Sequence, residues 1–502
     1  MCGIVAEYGP AERAGAARML ARLTHRGPDD DGVVELDDSW LGHRRLSIMD
    51  VGGGRQPLVN AEGDLWLVGN GEIYNQAAVI DGLGARPLTG SDNEAALALL
   101  DGLGPRALGA LEGMYAFVAG GEDGRFVAAR DPVGIKPLYW ARRGGRIRFA
   151  SEMQAFGPEW RPSVEIFPPG CYWTPEGGLV RFSDATPELE GPLGPVSLDP
   201  PAEVIDRTRE MVVDSVESQL MSDVRVGVFL SGGLDSSIVA AIAARAARRD
   251  GERLITFAVG SEGSSDLEAA RRVAEYLDSE HHERVYTAEE ANDLLPEVIG
   301  AIESFEPSLV RSAVPNYLLA ELAAEHVKVV LTGEGADEIF AGYDYLDRFA
   351  DPRALHDELR RLIGSLHSLN LQRCDRVTMA HGLEARVPFL DRDLIAFGMR
   401  LPPAWKLRSA DRPEKLLLRL AFEDMLPHDI VWRRKEEFGD GSGAADALRD
   451  PELASPIDEL EGERHAVDPP LRTREELGYY RMFEEALGGI RADRTVGRFP
   501  VA

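Results

Sequence analysis

The chain of 502 residues is poor in cysteine. Its three cysteines, Cys2, Cys171 and Cys374, form neither a paired framework nor the spacing of a metal-binding cluster. This excludes a fold that depends on several disulfides, and the composition is typical of a reducing compartment. We therefore expect a cytoplasmic protein.

Positive charge is also scarce. The chain has 55 lysine and arginine residues against 85 aspartate and glutamate residues, which leaves a net charge of −30. Only five of the basic residues are lysines. Because such an acidic protein repels nucleic acids and anionic membranes, we expect neither of them as a partner.

Long apolar runs are absent as well. No stretch approaches the roughly eighteen apolar residues of a membrane-spanning helix, and the N-terminus lacks the basic and then apolar order of a secretion signal. The hydrophobic fraction of 44% is nevertheless enough for a full globular interior. A chain of 502 residues exceeds what one small core supports, so two or more domains are expected.

Three regions differ in the order of their predicted elements. Residues 2–182 alternate short strand-like runs with turns, and helical patterns interrupt them near 11–23 and 91–103. Proline is concentrated in residues 183–202, as in a linker. In residues 203–502, strands alternate with helices and then give way to a largely helical part. This order predicts layered sheets in the first region and a parallel sheet in the last, with ligands at the carboxyl ends of its strands.

A glycine-rich turn follows the apolar run 226–230 and precedes a helical stretch. Backbone N–H groups at a helix N-terminus, glycines and hydroxyl groups together favour bound phosphate. No lysine follows the glycines, so this is not the common P-loop. The turn resembles the pyrophosphate loop of the ATP-pyrophosphatases, which split ATP into AMP and pyrophosphate. Its residues are Ser231, Gly232, Gly233, Leu234, Asp235, Ser236 and Ser237.

The second residue of the chain is a candidate nucleophile. Removal of the initiator methionine would leave Cys2 with a free α-amino group, whose ordinary pKa near 8 makes it a usable base beside the thiol. Alone, a cysteine at this place would be an ordinary small residue, but several motifs follow it. They are His25–Asp29, Gly42–Ile48, Asn70–Asn75, Gly90–Asp92 and Arg130–Tyr139.

With these motifs, the N-terminal region resembles a class II glutamine amidotransferase, and residues 1 to about 485 resemble glutamine-dependent asparagine synthetases. The resemblance implies an α+β N-terminal-nucleophile αββα sandwich at 2–182. It implies an α/β ATP-pyrophosphatase domain, similar to the adenine nucleotide α-hydrolases, with a helical C-terminal part at 203–502. It also implies glutamine, aspartate and ATP as substrates, Mg²⁺ as the metal, and it is compatible with a homodimer.

The resemblance implies roles for individual residues of the glutaminase. Cys2 attacks the side-chain amide of glutamine, and Asn70 and Gly71 form the oxyanion hole. Arg45 grips the α-carboxylate as a bidentate donor, and Glu72 and Asp92 receive the α-ammonium. The implied glutamine-binding residues are Arg45, Leu46, Ser47, Ile48, Met49, Asn70, Gly71, Glu72 and Asp92.

A second glycine-rich turn, 332–343, carries several carboxylates after another predicted strand. By resemblance, Glu334 acts in forming the acyl-adenylate, and Asp235 and Asp337 organise Mg²⁺. The implied ATP- and pyrophosphate-binding residues are Phe229, Ser231, Gly232, Gly233, Asp235, Ser236, Ser237, Val259, Arg311, Thr332, Gly333 and Lys435. The string 382–391 is specific to the family, but its chemistry is not evident from its residues.

One position departs from the family pattern. Asn370 stands where well-known asparagine synthetases carry an aspartate, in a segment that handles the acceptor substrate, whereas Arg373 matches their arginine. The same chemistry on a different carboxylic acid is therefore the main alternative. A non-catalytic descendant of such an enzyme is a second alternative, against which the retention of Cys2, Asn70 and Glu334 argues.

Overall fold

The computed structural model describes residues 2–10, 13–188, 197–349, 351–409, 411–435, 441–443, 448 and 465–499. Residues 189–196 of the predicted linker lie outside this part of the chain. The predicted domain boundaries at 182/183 and 202/203 stay predictions. No helix within the described ranges has the length and apolar character that crossing a membrane requires.

Twelve strands in residues 3–181 form two antiparallel sheets of six strands each. In chain order they are β1 (Gly3–Tyr8), β2 (Asp30–Glu35), β3 (Ser39–Arg45), β4 (Leu58–Val59), β5 (Leu65–Ile73), β6 (Gly113–Gly121), β7 (Phe126–Arg130), β8 (Tyr139–Arg143), β9 (Arg146–Ala150), β10 (Val164–Ile166), β11 (Cys171–Thr174) and β12 (Gly178–Arg181). One sheet has the order β10–β8–β9–β1–β3–β2 and the other β12–β11–β7–β6–β5–β4.

The two sheets pack face to face, and helices cover their outer faces. Ile4 of β1 and Phe126 of β7 contribute to the core between the sheets, as their buried positions and shared cluster show. The outer helices are α1 (Arg13–Ala21) on the first sheet, and α2 (Gln76–Leu83) and α3 (Glu94–Leu103) on the second. Four short 3-10 helices lie at Thr24–Arg26, Pro105–Ala110, Met153–Ala155 and Arg161–Ser163. The predicted αββα sandwich is confirmed.

A parallel sheet of five strands follows, in the order β15–β14–β13–β16–β17. Its strands are β13 (Val226–Phe229), β14 (Ile255–Ser261), β15 (Glu280–Tyr286), β16 (Val329–Leu331) and β17 (Glu384–Arg386). The strand order reverses between β13 and β16, which creates a crevice at their carboxyl ends where ligands bind in such folds. The predicted α/β part is confirmed, although β17, inside the family-specific string, was not expected as a strand.

Helices surround the parallel sheet and make up the rest of the C-terminal part. They are α4 (Ala202–Ser218), α5 (Leu234–Arg249), α6 (Ser265–Leu277), α7 (Ala288–Asp293), α8 (Leu295–Ile302), α9 (Pro307–Ala324), α10 (Ala336–Phe340), α11 (Pro352–Ser365), α12 (Asn370–Met379), α13 (Arg392–Arg400), α14 (Pro403–Lys406), α15 (Leu416–Phe422), α16 (His428–Val431), α17 (Arg474–Leu487) and α18 (Ala492–Thr495). Short 3-10 helices lie at Asp344–Arg348, Leu366–Ser368 and Pro388–Leu390. Side chains cap several helix starts: Ser264 accepts from Leu267 N before α6, and Thr473 accepts from Glu476 N before α17.

Buried ion pairs join the two parts. The Arg26 guanidinium, near the start of β2, lies 2.6 Å from Glu152 Oε1 and 2.8 Å from Asp375 Oδ2 of α12. Arg376 continues the network to Glu303 at 3.1 Å and donates to Ser151 O. These side chains are almost completely buried, so the two parts share a polar interface from which water is excluded.

Candidate active sites

Cys2 lies at the start of β1, between the two antiparallel sheets, and is buried. Its backbone N donates to Asn70 Oδ1 at 2.9 Å, and its backbone O accepts from Arg26 Nε at 3.0 Å. The Sγ atom lies 3.9 Å from Leu46 O. Burial raises the pKa of the Cys2 thiol above its ordinary value, so deprotonation of the thiol requires a nearby base.

Asn70 and Gly71 lie in β5, which crosses the second sheet beside Cys2. Asn70 is fully buried, and its Nδ2 has no hydrogen-bond partner among the described residues. A buried N–H group without a partner costs free energy, so this donor is available for a ligand. The structure therefore brings Cys2 and the predicted oxyanion-hole amide together.

The segment after β3 wraps around Arg45, whose side chain is buried. Its Nη2 donates to Asp50 O at 2.7 Å and to Met49 O at 3.2 Å. Ser47 N donates to Asp29 Oδ2 at 2.7 Å, and Gly90 N donates to Asp50 Oδ2 at 2.8 Å. The predicted glutamine-binding residues 45–49 thus run from the end of β3 into a loop, and Asp50, the next residue, contacts the Gly90–Asp92 segment.

Two buried carboxylates complete this site. Asp92 Oδ2 accepts from Ile73 N at 2.6 Å, which places Asp92 beside the end of β5, where Glu72 lies. Burial raises the pKa of Asp92 to about 6. Burial, together with the charges of Asp92 and Glu384, also raises the pKa of Glu72 well above its ordinary value. A pair of buried carboxylates short of cations favours a positively charged group as ligand.

The second site is a cavity of about 620 Å³ at the carboxyl ends of β13 and β16. Its walls come from both predicted glycine-rich turns and from helices α9, α11 and α12. The lining residues include Phe229, Ser231, Gly233, Asp235, Ser236, Val259, Arg311, Thr332, Gly333, Glu334, Asp337, Glu338, Asn370, Arg373, Lys415 and Lys435.

The first turn ends at the start of α5, which begins at Leu234. The hydroxyl groups of Ser231 and Ser236 lie 3.1 Å apart, and Ser236 Oγ donates to Gly233 O at 3.2 Å. The N-terminal N–H groups of a helix of 16 residues thus lie at the cavity wall, which favours an anionic ligand.

Two residues of the first turn lie elsewhere. Gly232 and Ser237 are not among the cavity-lining residues. Gly232 has φ +74°, and a methyl group on it would lie 2.5 Å from Ala269 Cβ of α6. Ser237 is fully buried in α5. The local sequence pattern did not distinguish these positions from the ones that line the cavity.

Asp235 and Asp337 lie on either side of the Lys415 ammonium, at 2.5 Å and 2.6 Å. Lys435 Nζ lies 2.6 Å from Asp337 Oδ1 as well. Burial opposes ionisation of Asp337, but the two lysines outweigh it and lower the pKa of that carboxyl. Burial raises the pKa of Asp235, although Lys415 opposes this. The structure therefore brings the two predicted carboxylates together around the Lys415 ammonium, with Lys435 beside Asp337.

Lys415 was not predicted as a site residue. The chain has only five lysines, and that scarcity, which singled out Lys435, applies equally to Lys415. Lys415 is almost fully buried, with φ +55° just before α15. Its contact with Asp235 joins residues 180 positions apart in the chain, so only the folded chain reveals it.

Two arginines at the cavity are engaged by glutamates. Arg373 of α12 pairs with Glu334, and its Nη1 also donates to Ser312 Oγ at 2.8 Å. Arg311 Nη1 lies 2.8 Å from Glu475 Oε1 of α17. Arg311 thus reaches the cavity wall as predicted, with its charge balanced by a residue that sequence reasoning did not select.

Asn370 also lines the cavity. Its Nδ2 lies 3.4 Å from Glu338 Oε1 and 3.3 Å from the Tyr343 hydroxyl, which itself donates to Glu338 Oε1 at 2.7 Å. Burial raises the pKa of Glu338 to about 7. Asn370, the residue that departs from the family pattern, therefore lies at the cavity and contacts a buried carboxylate there.

Within the described ranges, no group of three or more histidine, cysteine, aspartate or glutamate side chains is arranged to hold a metal ion. Asp235 Oδ1 is nevertheless buried with no hydrogen-bond partner there. Mg²⁺ commonly uses only one or two protein carboxylates together with phosphate oxygens, and the pair Asp235 and Asp337 fits that smaller demand.

Two family models match this chain, one in its N-terminal and one in its C-terminal part. A family model described as glutamine amidotransferase domain matches residues 1–168, and one described as asparagine synthase matches residues 207–350 and 347–487. The chain resembles the glutamine phosphoribosylpyrophosphate amidotransferase of B. subtilis with a TM-score of 0.32, at 19% identity, over 57% of this chain and 82% of that chain.

Several curated relatives are similar over most of their length. Asparagine synthetase [glutamine-hydrolyzing] 3 of Arabidopsis thaliana is 40% identical over 90% of this chain and 81% of that protein. Asparagine synthetase [glutamine-hydrolyzing] 2 of the same plant is 38% identical over 99% of this chain and 89% of that protein. Asparagine synthetase B [glutamine-hydrolyzing] of Escherichia coli K12 is 39% identical over 94% of this chain and 88% of that protein. The chain therefore belongs to the asparagine synthase family and carries a glutamine amidotransferase domain at its N-terminal end.

Proposed function

We propose that this protein is a glutamine-hydrolysing asparagine synthetase. It converts glutamine, L-aspartate and ATP into L-asparagine, glutamate, AMP and pyrophosphate. The observation that carries the proposal is the presence, in one chain, of the Cys2–Asn70 contact and of a cavity between two glycine-rich turns. The names and extent of the relatives support the same activity.

We assign the glutaminase reaction to residues 2–182 and the synthetase reaction to residues 203–502. The Cys2 sulfur attacks the side-chain amide carbon of glutamine, ammonia leaves, and water then hydrolyses the thioester to glutamate. After removal of Met1, the backbone nitrogen that now contacts Asn70 becomes the α-amine that takes the thiol proton. The partnerless Asn70 Nδ2 and the Gly71 N–H stabilise the oxyanion.

The glutamine backbone is held by the loop and carboxylates around Cys2. Arg45, with Leu46, Ser47, Ile48 and Met49, binds the α-carboxylate side. Glu72 and Asp92 receive the α-ammonium. Burial raises both pKa values. The charges of Asp92 and Glu384 raise that of Glu72 further, and the charge of Glu384 that of Asp92, and a bound cation relieves this repulsion.

In the synthetase cavity, the turn that contains Ser231, Gly233 and Ser236 and the N-terminus of α5 bind the ATP phosphates. Phe229, Val259, Thr332 and Gly333 line the nucleotide site, and Arg311 and Lys435 bind pyrophosphate. A β-carboxylate oxygen of aspartate attacks the α-phosphorus and pyrophosphate leaves. Ammonia then attacks the acyl carbon of β-aspartyl-AMP, and AMP leaves. Glu334 acts in the first of these steps.

We further propose that Asp235 and Asp337 hold Mg²⁺. The partnerless Asp235 Oδ1 supports this, as does the lowered pKa of Asp337, which the adjacent lysines cause. When bound, Mg²⁺ would neutralise phosphate charge. In this chain, Lys415 and Lys435 hold the two aspartates within reach of one ion.

A different carboxylic acid as acceptor is the second candidate, and Asn370 is the observation that favours it. A carboxamide beside Glu338 carries one negative charge fewer than an aspartate would. The acceptor end of the cavity is therefore less negative. The cytoplasmic location and the homodimer also stay predictions, and light scattering of the purified protein tests the second of them.

Exchange of labelled pyrophosphate into ATP isolates adenylation from amide formation. Without any nitrogen source, we expect the protein to need a carboxylic acid for exchange, and aspartate to be the best acid of a panel. Glu334→Ala should abolish exchange and leave glutamine hydrolysis measurable. If another acid supports exchange and aspartate does not, the assignment of aspartate as acceptor is wrong, but the proposed adenylation chemistry is supported.

A further inference from the structure

Arg386 is the last residue of β17 and is fully buried. Three oxygen atoms of its own part of the chain accept hydrogen bonds from two of its nitrogens. Nε donates to Glu384 Oε1 at 2.6 Å, and Nη1 donates to Gln219 O at 2.7 Å and Met221 O at 2.5 Å. Because a guanidinium is planar, these contacts fix the direction of its remaining nitrogen, Nη2.

That remaining nitrogen faces the glutaminase site. Nη2 lies 3.5 Å from Glu72 Oε1, in the other part of the molecule. Among the described residues, Arg386 Nη2, Glu72 Oε2 and the Tyr74 hydroxyl are all buried with no hydrogen-bond partner. The charges of Arg386 and Glu72 both act on the Tyr74 hydroxyl, so the three groups are neighbours. Since an unmade buried hydrogen bond costs free energy, these three atoms indicate that a polar ligand completes the site.

Charge leads to the same conclusion. Burial raises the pKa of Glu72, and the charges of two nearby carboxylates, Asp92 and Glu384, raise it further. Arg386 acts in the opposite direction and lowers the pKa of Glu72. An ionised Glu72 is needed to receive an ammonium group, so the guanidinium supports the form of Glu72 that binds a cationic ligand.

We propose that Arg386, from the C-terminal part of the chain, is a positioning residue of the glutamine site. Its guanidinium, 3.5 Å from Glu72 Oε1, orients the Glu72 carboxylate toward the ammonium group of glutamine. The glutamine site is then complete only when β17 is docked against it. This inference rests on the proposed role of Glu72 in glutamine binding.

The backbone of the same residue contacts the synthetase cavity. Arg386 O accepts from Thr332 N at 3.0 Å, at the start of the second glycine-rich turn. Leu331 and Arg386 are partners in the parallel pairing of β16 and β17. One short strand therefore contacts the nucleotide turn through its backbone and the glutamine site through a side chain.

The test uses the full chain with Arg386→Gln and Arg386→Lys. We expect Arg386→Gln to raise the KM for glutamine at least tenfold in ATP-free glutamine hydrolysis, with a smaller change in kcat. Ammonium-dependent asparagine synthesis should keep its KM for ammonium. Arg386→Lys, which keeps the positive charge, should restore part of the affinity for glutamine.

A double-mutant cycle separates positioning from general destabilisation. Glu72→Gln alone should raise the KM for glutamine, and adding Arg386→Gln should raise it little further, because Arg386 acts through Glu72. Arg494→Gln is the matched control. It breaks an exposed arginine–glutamate pair between the same two parts, Arg494 with Glu165 at 2.9 Å, and should leave the KM for glutamine unchanged.

An unchanged KM for glutamine in folded Arg386→Gln, or additive effects with Glu72→Gln, would overturn the inference. If Arg386→Gln does not fold, Arg386→Lys decides by the same two criteria, with an expected rise in KM of about threefold or more. If the unaltered protein does not hydrolyse glutamine, the proposed function itself is wrong. That result differs from an unchanged KM and from additive effects, both of which require an active protein.

Discussion

At the scale of single residues, the Cys2 thiol is the proposed nucleophile for the release of ammonia from glutamine. Burial raises its pKa, while the neighbouring backbone nitrogen is fixed by Asn70 Oδ1. The thiol therefore reacts only after a base has removed its proton, and the α-amine that removal of Met1 would leave on Cys2 is the proposed base. Nothing in this arrangement involves the ATP cavity.

We therefore expect Cys2→Ala to abolish asparagine synthesis from glutamine and to spare synthesis from ammonium. The reason is that the thiol serves only the release of ammonia. Asparagine formed from each nitrogen source is the measurement. Cys171→Ala, which alters a buried cysteine of β11, is the control and should keep both activities. Equal loss with both sources in Cys2→Ala would contradict the assignment of two separate reactions.

The affinity for glutamine should depend on pH through Asp92. Burial raises its pKa to about 6, so Asp92 is ionised above that pH and neutral below it. In Cys2→Ala, which binds glutamine without consuming it, the dissociation constant should rise as the pH falls through about 6. The rise should be about tenfold or more per pH unit, because a proton on Asp92 competes with the ammonium group and the raised pKa of Glu72 adds a second competing proton.

Titration calorimetry at several pH values measures this dependence. Asp92→Asn should bind glutamine weakly and with a shallower dependence on pH, since the titrating group has been removed. An affinity in Cys2→Ala that is the same at about pH 7 and about pH 5 would show that Asp92 does not receive the ammonium group.

At the scale of elements, the turn after α10 brings the lysines to the aspartates. Gly342 follows this helix, and its backbone O accepts from Lys435 Nζ at 3.0 Å. A methyl group on Gly342 would lie 1.8 Å from Asp337 Oδ1 and 2.2 Å from Lys415 Cε. The glycine is thus required for the close approach of two charged side chains.

Gly342→Ala should therefore displace Asp337 or Lys415 and reduce asparagine synthesis from either nitrogen source by about tenfold or more. Glutamine hydrolysis without ATP should continue. Gly364→Ala in α11 is the matched control, because open space surrounds that position. In a helix this change should stabilise the protein by about 0.5–1 kcal/mol. Normal synthesis by Gly342→Ala would be inconsistent with the proposed roles of Asp337 and Lys415.

At the scale of the whole molecule, a buried ionic network joins the two parts. Asp375 accepts from Arg26 Nη1 at 2.8 Å and from Arg376 Nη1 at 2.8 Å. Burial opposes its ionisation, but the arginines outweigh it, so the pKa of Asp375 is lowered. Its contribution to stability is therefore present above the ordinary carboxylate pKa and is lost as the pH falls through the lowered value.

Removing Asp375 leaves two buried guanidinium groups with fewer partners. Asp375→Ala should thus destabilise the protein by about 3–5 kcal/mol and lower the midpoint of thermal unfolding at neutral pH. Glu165→Gln breaks an exposed pair across the same interface and should change stability by about 1 kcal/mol or less. Equal midpoints for Asp375→Ala and the unaltered protein would mean that the network does not stabilise the interface.

The sequence by itself determined the kinds of elements and the residue types at both sites. Short alternating strands predicted the sandwich, and strands alternating with helices predicted the parallel sheet, because these periodicities arise within one element. The glycine-rich turns were predictable for the same reason, since a turn and the helix that follows it are local. Resemblance to the family extended this to Cys2, Asn70, Asp235 and Asp337.

Only the tertiary structure decided which of these residues meet and what else surrounds them. Lys415 pairs with Asp235, Glu475 pairs with Arg311, and Arg386 faces Glu72 across the interface. Each of these pairs joins elements far apart in the chain. Local periodicity carries no information about such contacts, because they depend on the order of strands in a sheet and on how two parts of the molecule dock.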